Sequence, residues 1–185
     1  MKWNDHSKLV GLHAFLSPSN YHWINYDDEK LTTVFANSEA KARGTRLHAF
    51  ACEAITLGIK LPKSKRTLNA YVNDAIGYRM QPEQVLYFSE NCFGCADAIA
   101  FDGHLLRIHD LKTGDVAAHM EQLYIYAALF CLEYHISPST ISFELRIYQN
   151  DDILIEEPDG DSIQEVMDII RHADELLFNI KREGV

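Results

Sequence analysis

Two aspartates and a lysine carry the most chemical information in this sequence. They are Asp97, Asp110 and Lys112, in the stretch GCADAIAFDGHLLRIHDLKTG from Gly94 to Gly114. The stretch reads as two apolar strands joined by Asp102-Gly103, a turn pair in which both positions tolerate positive φ. With those two residues as the loop, Phe101 faces His104, Ile99 faces Leu106, Asp97 faces Ile108 and Cys95 faces Asp110. Strand side chains alternate faces. Asp97, Ile99 and Phe101 are therefore expected on one face with Leu106, Ile108, Asp110 and Lys112. Asp97 and Asp110 become diagonal neighbours, roughly 7–8 Å apart at the backbone. Charges on an apolar face are costly unless they are paired or bind a metal. Two carboxylates within reach of one ion suit Mg²⁺, which takes one or two carboxylates, some carbonyls and several waters. Such an ion polarises a phosphoryl oxygen and lowers the pKa of a bound water. A lysine beside it can orient that water or stabilise phosphate charge. The trio fits phosphodiester hydrolysis. It also fits a surface salt bridge between Asp110 and Lys112 beside a solvated Asp97.

The flanking sequence must position these groups. Ser38 to about Gly58 reads as a helix capped by Ser38, with Leu47, Ala51, Ala54 and Ile55 at helical spacing. A second helix is expected over 67–80, with Leu68, Tyr71, Val72, Ala75 and Ile76 on one side. QVLYFSE (84–90) reads as a strand, and the hairpin 94–113 follows. His119 to about Tyr134 is an apolar helix. Residues 140–149 and 152–157 read as strands separated by Asn150 and Asp151. Asp161 to Lys181 closes the chain as an amphipathic helix, with Ile163, Val166, Met167, Ile170, Ala173, Leu177 and Ile180 on its packing face. Residues 1–37 give no clear period. The order helix, helix, strand, hairpin, helix, strand, strand, helix predicts an α/β fold with a central mixed sheet flanked by helices. Neither repeats nor a linker interrupt it. The reading is one domain over 1–185, with a core of about 38–157 and an acidic C-terminal helix of about 161–181.

Composition bounds the function classes. A hydrophobic content of 47% and a charged content of 24% suit a globular chain. No apolar run approaches transmembrane length, and MKWNDHSKLVGLHAF has no apolar leader segment. Cys52, Cys92, Cys95 and Cys131 have no disulfide-framework spacing. A reduced, cytoplasmic protein with no membrane partner is expected. The net charge of −10 argues at first against nucleic acid, but its distribution softens that. Residues 151–185 hold 11 acids and 3 bases, a net −8, which leaves residues 1–150 at −2 with 16 acids and 14 bases. That nearly neutral body includes KLPKSKR, Lys60 to Arg66, either a solvated loop or a phosphate contact.

With these motifs assembled, the chain resembles the PD-(D/E)xK nuclease superfamily, in particular its RecB-like branch. That branch has G-x-x-D, a strand turn and then D-x-K, matched by Gly94, Asp97, Asp110 and Lys112. It also has an upstream G-x-x-x-H, matched by Gly44 and His48, and a downstream Q-x-x-x-Y, matched by Gln122 and Tyr126. FLSPSNYHW (15–23) is similar to its S-x-S opening segment. The match spans roughly residues 15 to 150. It implies a restriction-endonuclease-like α/β/α core. It further implies that Asp97 and Asp110 bind Mg²⁺ or Mn²⁺, with the Leu111 carbonyl as a further ligand and His48 approaching from the first core helix. Lys112 would serve the nucleophilic water. Gln122 and Tyr126, on one helix face, would contact DNA or support the lysine. Glu90, ending the preceding strand, would complete the site as an acid does in some relatives.

The sequence departs from the family in two places. The proline of the superfamily name is Ala96 here, which is frequent in the branch. The cysteines do not follow the spacing of the iron–sulfur relatives, so no iron–sulfur cluster is expected and the thiols read as small hydrophobes. Cys92 and Cys95 lack a full tetrahedral zinc set. The implied function is a stand-alone, metal-dependent DNA nuclease of the phage type. An exonuclease in recombination, repair or phage DNA processing is the expected form, cutting single- or double-stranded DNA alone, as a homo-oligomer or with a recombination partner. The alternative is a catalytically inactive nucleic-acid-binding or anti-defence protein on the same fold.

Overall fold

The structure is a computed structural model that describes residue 8 and residues 14–114 and 116–183. The segment read for a leader lies largely outside these residues. The chain divides into two compact units, residues 1–43 and 44–185. In the first, a 3-10 segment (Pro18–Asn25) leads into helix α1 (Asp28–Thr56), whose second half belongs to the other unit. Asp27 starts α1 by accepting the Lys30 amide at 2.8 Å, eleven residues before the expected Ser38 cap. The indole of Trp23 donates to the Ser17 carbonyl at 3.1 Å, which folds the S-x-S segment on itself.

The second unit is built on a five-stranded sheet in the order β1 (Gln81–Ser89), β2 (Cys92–Phe101), β3 (Leu105–Leu111), β4 (Ser142–Gln149), β5 (Asp152–Glu156). All neighbours are antiparallel except β3 and β4. A parallel pair needs a crossover, and α3 (Glu121–Glu133) lies within it. α3 and α4 (Gly160–Glu183) cover one face, with Leu123, Ala127, Phe130, Ile163 and Met167 packed on Leu86, Ile99, Leu106, Ile108 and Leu145. The second half of α1 and α2 (Thr67–Gly77) cover the other through Ala51, Ala54, Ile55, Tyr71 and Val72 against Ala98, Leu111 and Tyr148. The architecture is therefore α/β with a mixed sheet between helices, in the element order read from the sequence. Among the described residues, no helix is long and apolar enough to cross a membrane.

Two expectations need correction. The hairpin register is shifted by two residues: Phe101 pairs with Leu106 and Ile99 with Ile108. Gly103 takes positive φ but Asp102 does not, so the tight mirror-image turn does not form. Instead the Asp102 carboxylate accepts the His104 and Leu105 amides at 3.0 and 2.9 Å, which holds a longer loop. An even shift leaves Ile99, Leu106 and Ile108 together on the α3–α4 face. Asp97 does not share that face as expected: alternation breaks between Ala96 and Ala98, and Asp97 turns to the side of α1, where it meets His48. The apolar packing of the C-terminal helix covers only its first half, and Asp174 and Lys181 tie the second half to the β1–β2 turn by hydrogen bonds. Ile163, Met167 and Ile170 are buried, whereas Leu177 and Ile180 remain exposed.

Candidate functional site

The β2–β3 ladder ends at Ala98–His109 although both strands continue. Beyond that rung the Leu111 amide donates instead to the Asp97 carboxylate, at 2.9 Å. The same carboxylate lies 3.4 Å from His48 Nδ1 on α1. Asp110 follows on β3, 3% exposed, with its Oδ1 accepting from Lys112 Nζ at 3.0 Å. Lys112 Nζ also donates to Gln122 Oε1 on α3 at 2.8 Å. Gln122 in turn donates to the Tyr126 hydroxyl at 3.4 Å, and that hydroxyl donates to the Cys95 carbonyl at 2.7 Å. Asp97, Asp110, His48, Leu111, Lys112, Gln122 and Tyr126 thus converge where the hairpin opens. Lys112 is held between an acid and an amide whose own position is fixed.

Two glycines make these approaches possible. A Cβ on Gly44 would stand 2.7 Å from Thr113 Oγ1, so with any larger residue there that hydroxyl would have to turn away. A Cβ on Gly94 would stand 2.9 Å from the Tyr126 ring. The glycines of G-x-x-x-H and G-x-x-D are there for close approach.

Glu83, which the sequence reading missed, joins the cluster. The ligand atoms of His48, Glu83 and Asp97 all lie within 4.8 Å of one another, as a metal's ligands must. Glu83 has φ 50°, and the β1–β2 pairing skips the Glu83–Asp97 rung while holding on both sides of it. Strand alternation breaks there too: Ala96 packs with the α3–α4 core and Ala98 with the α1–α2 core. A strained residue in a strand interior, beside a carboxylate cluster, is the kind of irregularity that functional sites keep. Glu90, in contrast, sits in the β1–β2 turn at the opposite end of the strand. It is about 20 Å away by strand rise. The expectation that Glu90 completes the site is corrected: Glu83 stands in that place.

The electrostatics suit a cation. The Asp97 carboxylate raises the pKa of His48 against the effect of burial, with further help from the charges of Asp110 and Glu83. Burial raises the pKa of Asp110, the charge of Asp97 adds to it, and Lys112 opposes both. Asp110 Oδ2 lies 2.9 Å from Lys112 Nζ but accepts no hydrogen bond in suitable geometry. A buried carboxylate ion-paired with Lys112, beside a three-ligand cluster, fits a hard divalent ion. Burial, with a hydrogen bond to Glu83 at 3.4 Å, pushes the Cys95 thiol up to about 11, so this sulfur is held as the thiol. All four cysteines are free, and only Cys131 is fully buried.

No family model, curated protein or solved structure matches this chain.

Proposed function

We propose that this protein is a metal-dependent phosphodiester hydrolase acting on DNA. The observation that carries the reading is the meeting of Asp97, Asp110, His48 and Glu83 with a lysine that is itself held by Gln122. The four side chains, with the Leu111 carbonyl, would hold Mg²⁺ or Mn²⁺. Bound there, the ion would polarise a phosphoryl oxygen and make a water a better nucleophile near neutral pH.

The chain's own residues supply the rest. Lys112 places a positive charge beside the carboxylates, where it orients the attacking water and stabilises charge gathering on the phosphoryl oxygens. The water oxygen bonds to phosphorus, the ester P–O bond breaks, and the leaving oxygen takes up a proton. Gln122 keeps the ammonium aimed, since a hydrogen bond to a charged group contributes about 1.5–3 kcal/mol. Tyr126 fixes Gln122 by anchoring to the Cys95 carbonyl. The resemblance of the four motifs supports DNA as the substrate. The basic loop Lys60–Arg66 is solvent-exposed and available to phosphate.

The test is digestion of end-labelled single- and double-stranded DNA, linear and circular, with Mg²⁺, Mn²⁺ or EDTA. The reading expects cutting with either metal and none in EDTA. Intact substrates under all three conditions would overturn it.

A further inference from the structure

We propose that Tyr87 and Phe93 form a stacking platform for the bases of single-stranded nucleic acid, on the same ladder face as the carboxylate cluster. The inference deepens the hydrolase reading by naming its preferred substrate form, and rests on that reading only for the use made of the bound strand.

The platform follows from register. Tyr87 pairs with Phe93 and Val85 with Cys95, and the skipped Glu83–Asp97 rung comes next. The Cys95 thiol donates to Glu83, so these two side chains share a face. The intervening residues take the other face: Leu86 is in the α3–α4 core and Gly94 lies against Tyr126. Tyr87, Val85 and Phe93 therefore point to the same side as Glu83 and Cys95. Tyr87 is 48% exposed and Phe93 63%, and their rings lie 6.3 Å apart at an interplanar angle of 28°. Two large rings, tilted alike and open to water, begin one rung beyond the thiol that touches the cluster.

Chemistry and spacing then choose the occupant. The floor made by Val85, Cys95, Tyr87 and Phe93 has no carboxylate and no amine, so it suits the flat uncharged faces of bases. The carboxylate cluster next to it suits a phosphate through a bridging cation. From Asp97 to Phe93 is four residues, about 14 Å, or about four nucleotides at the 3.4 Å rise of a stacked strand. Bases in a duplex stack on each other and offer no free face except at an end, whereas a single strand offers every one. Base–aromatic stacking is tolerant of sequence, so the platform would hold the strand without choosing its bases.

The test uses the full chain in EDTA, with fluorescence anisotropy on labelled oligothymidine, oligouridine, a blunt duplex and an abasic oligomer of equal length. Tyr87→Ala and Phe93→Ala should each weaken oligothymidine binding about tenfold, within the range alanine substitution gives for base stacking. Tyr87→Phe should bind as wild type. Both alanine variants should melt as wild type, because the rings are exposed. Their losses should vanish on the abasic oligomer, and the oligouridine arm tells whether RNA is held as well as DNA. Unchanged oligothymidine affinity in both variants would overturn the platform. So would an equal loss on the abasic oligomer, or a change of oligomeric state on size exclusion with binding intact. The two readings fail separately. A wild type that cuts nothing in Mn²⁺ while the variants lose affinity leaves the platform standing without the hydrolase. A wild type that cuts while the variants bind normally removes the platform alone.

Discussion

Replacing Asp110 with Asn keeps the shape of the side chain and an oxygen for Lys112 but removes one negative charge from the cluster. Burial and the neighbouring Asp97 raise the pKa of this carboxyl. A group raised in the folded protein favours folding while protonated. Its contribution is present below about pH 4, the ordinary carboxylate value, and is lost as pH rises through the raised one. In EDTA at pH 8, Asp110→Asn should therefore melt above wild type, and the two should converge toward pH 4. Lys112 is not stranded by the change, since it is 30% exposed and still bonded to Gln122. Metal reverses the order. An ion at a hundredfold excess over Kd stabilises wild type by about 2.7 kcal/mol. For a chain of this length that is about 5–11 °C in Tm. The variant lacks a buried anionic donor and should gain far less. Calorimetry with and without Mn²⁺ from pH 4 to 8 reads all of this. The wild-type gain should also grow from pH 5.5 to 8, because His48 must lose a proton that Asp97 helps it keep. An unmoved wild-type Tm in Mn²⁺, or an equal gain in the variant, would refute the ion site. A variant that melts below wild type in EDTA at pH 8 would make Asp110 the stabilising half of a salt bridge instead.

Glu83→Gln should lower Mn²⁺ affinity by about tenfold or more with little change in the metal-free Tm, since the side chain is exposed; calorimetric titration checks it, and an unchanged affinity removes Glu83 from the ligand set. Gly44→Ala should cost about 1–3 kcal/mol by overpacking against Thr113. Adding Thr113→Ala should recover most of that cost in denaturant melts, and failure to recover would place the strain elsewhere. Reversing the charge of Glu165 and Asp168, exposed on α4, should leave DNA affinity within about twofold at physiological salt. A large gain in a gel-shift titration would put α4 beside the substrate.

The elements were legible because their periods are strong. In β3 and β4 the apolar Leu106, Ile108, Phe143, Leu145 and Ile147 alternate with Arg107, His109, Glu144 and Arg146, and α3 is apolar nearly all round. Their order alone gives a mixed sheet between helices. Asp97, Asp110 and Lys112 do lie near one another, though not through the register or the shared face that their spacing suggests. What could not be read depends on local backbone events. The hairpin register turned on the Asp102 side chain folding back on the loop, which the Asp-Gly signal does not encode. Glu83 stayed hidden for a related reason. A two-residue turn at Glu90-Asn91 pairs Ser89 with Cys92, and counting rungs from there puts Gln84, not Glu83, opposite Asp97. The irregularity between Tyr87 and Ser89 shifts the count by one and brings Glu83 in. Glu90 is suggested by the resemblance alone, as an acid ending the strand before the hairpin, and nothing in the sequence marks the bend that brings Glu83 in instead. The exposed outer half of α4 shows the limit of periodicity. Leu177 and Ile180 keep helical spacing where the helix is held by hydrogen bonds of Asp174 and Lys181 to Ser89 and Asn91 rather than by apolar packing.

Lys112→Ala tests the central claim most directly, because it removes the group that serves the water while leaving every carboxylate in place. Single-turnover cleavage in Mn²⁺ and DNA affinity in EDTA would be measured on the same preparations. Wild type should cut, and the variant's cleavage rate should fall by at least about 10²-fold, as expected for losing one electrostatic or acid–base group. Affinity should change little, since phosphate contacts elsewhere supply most of it. Wild type that binds DNA tightly yet cuts nothing in Mn²⁺, or a Lys112→Ala variant that cuts at the wild-type rate, would contradict the account.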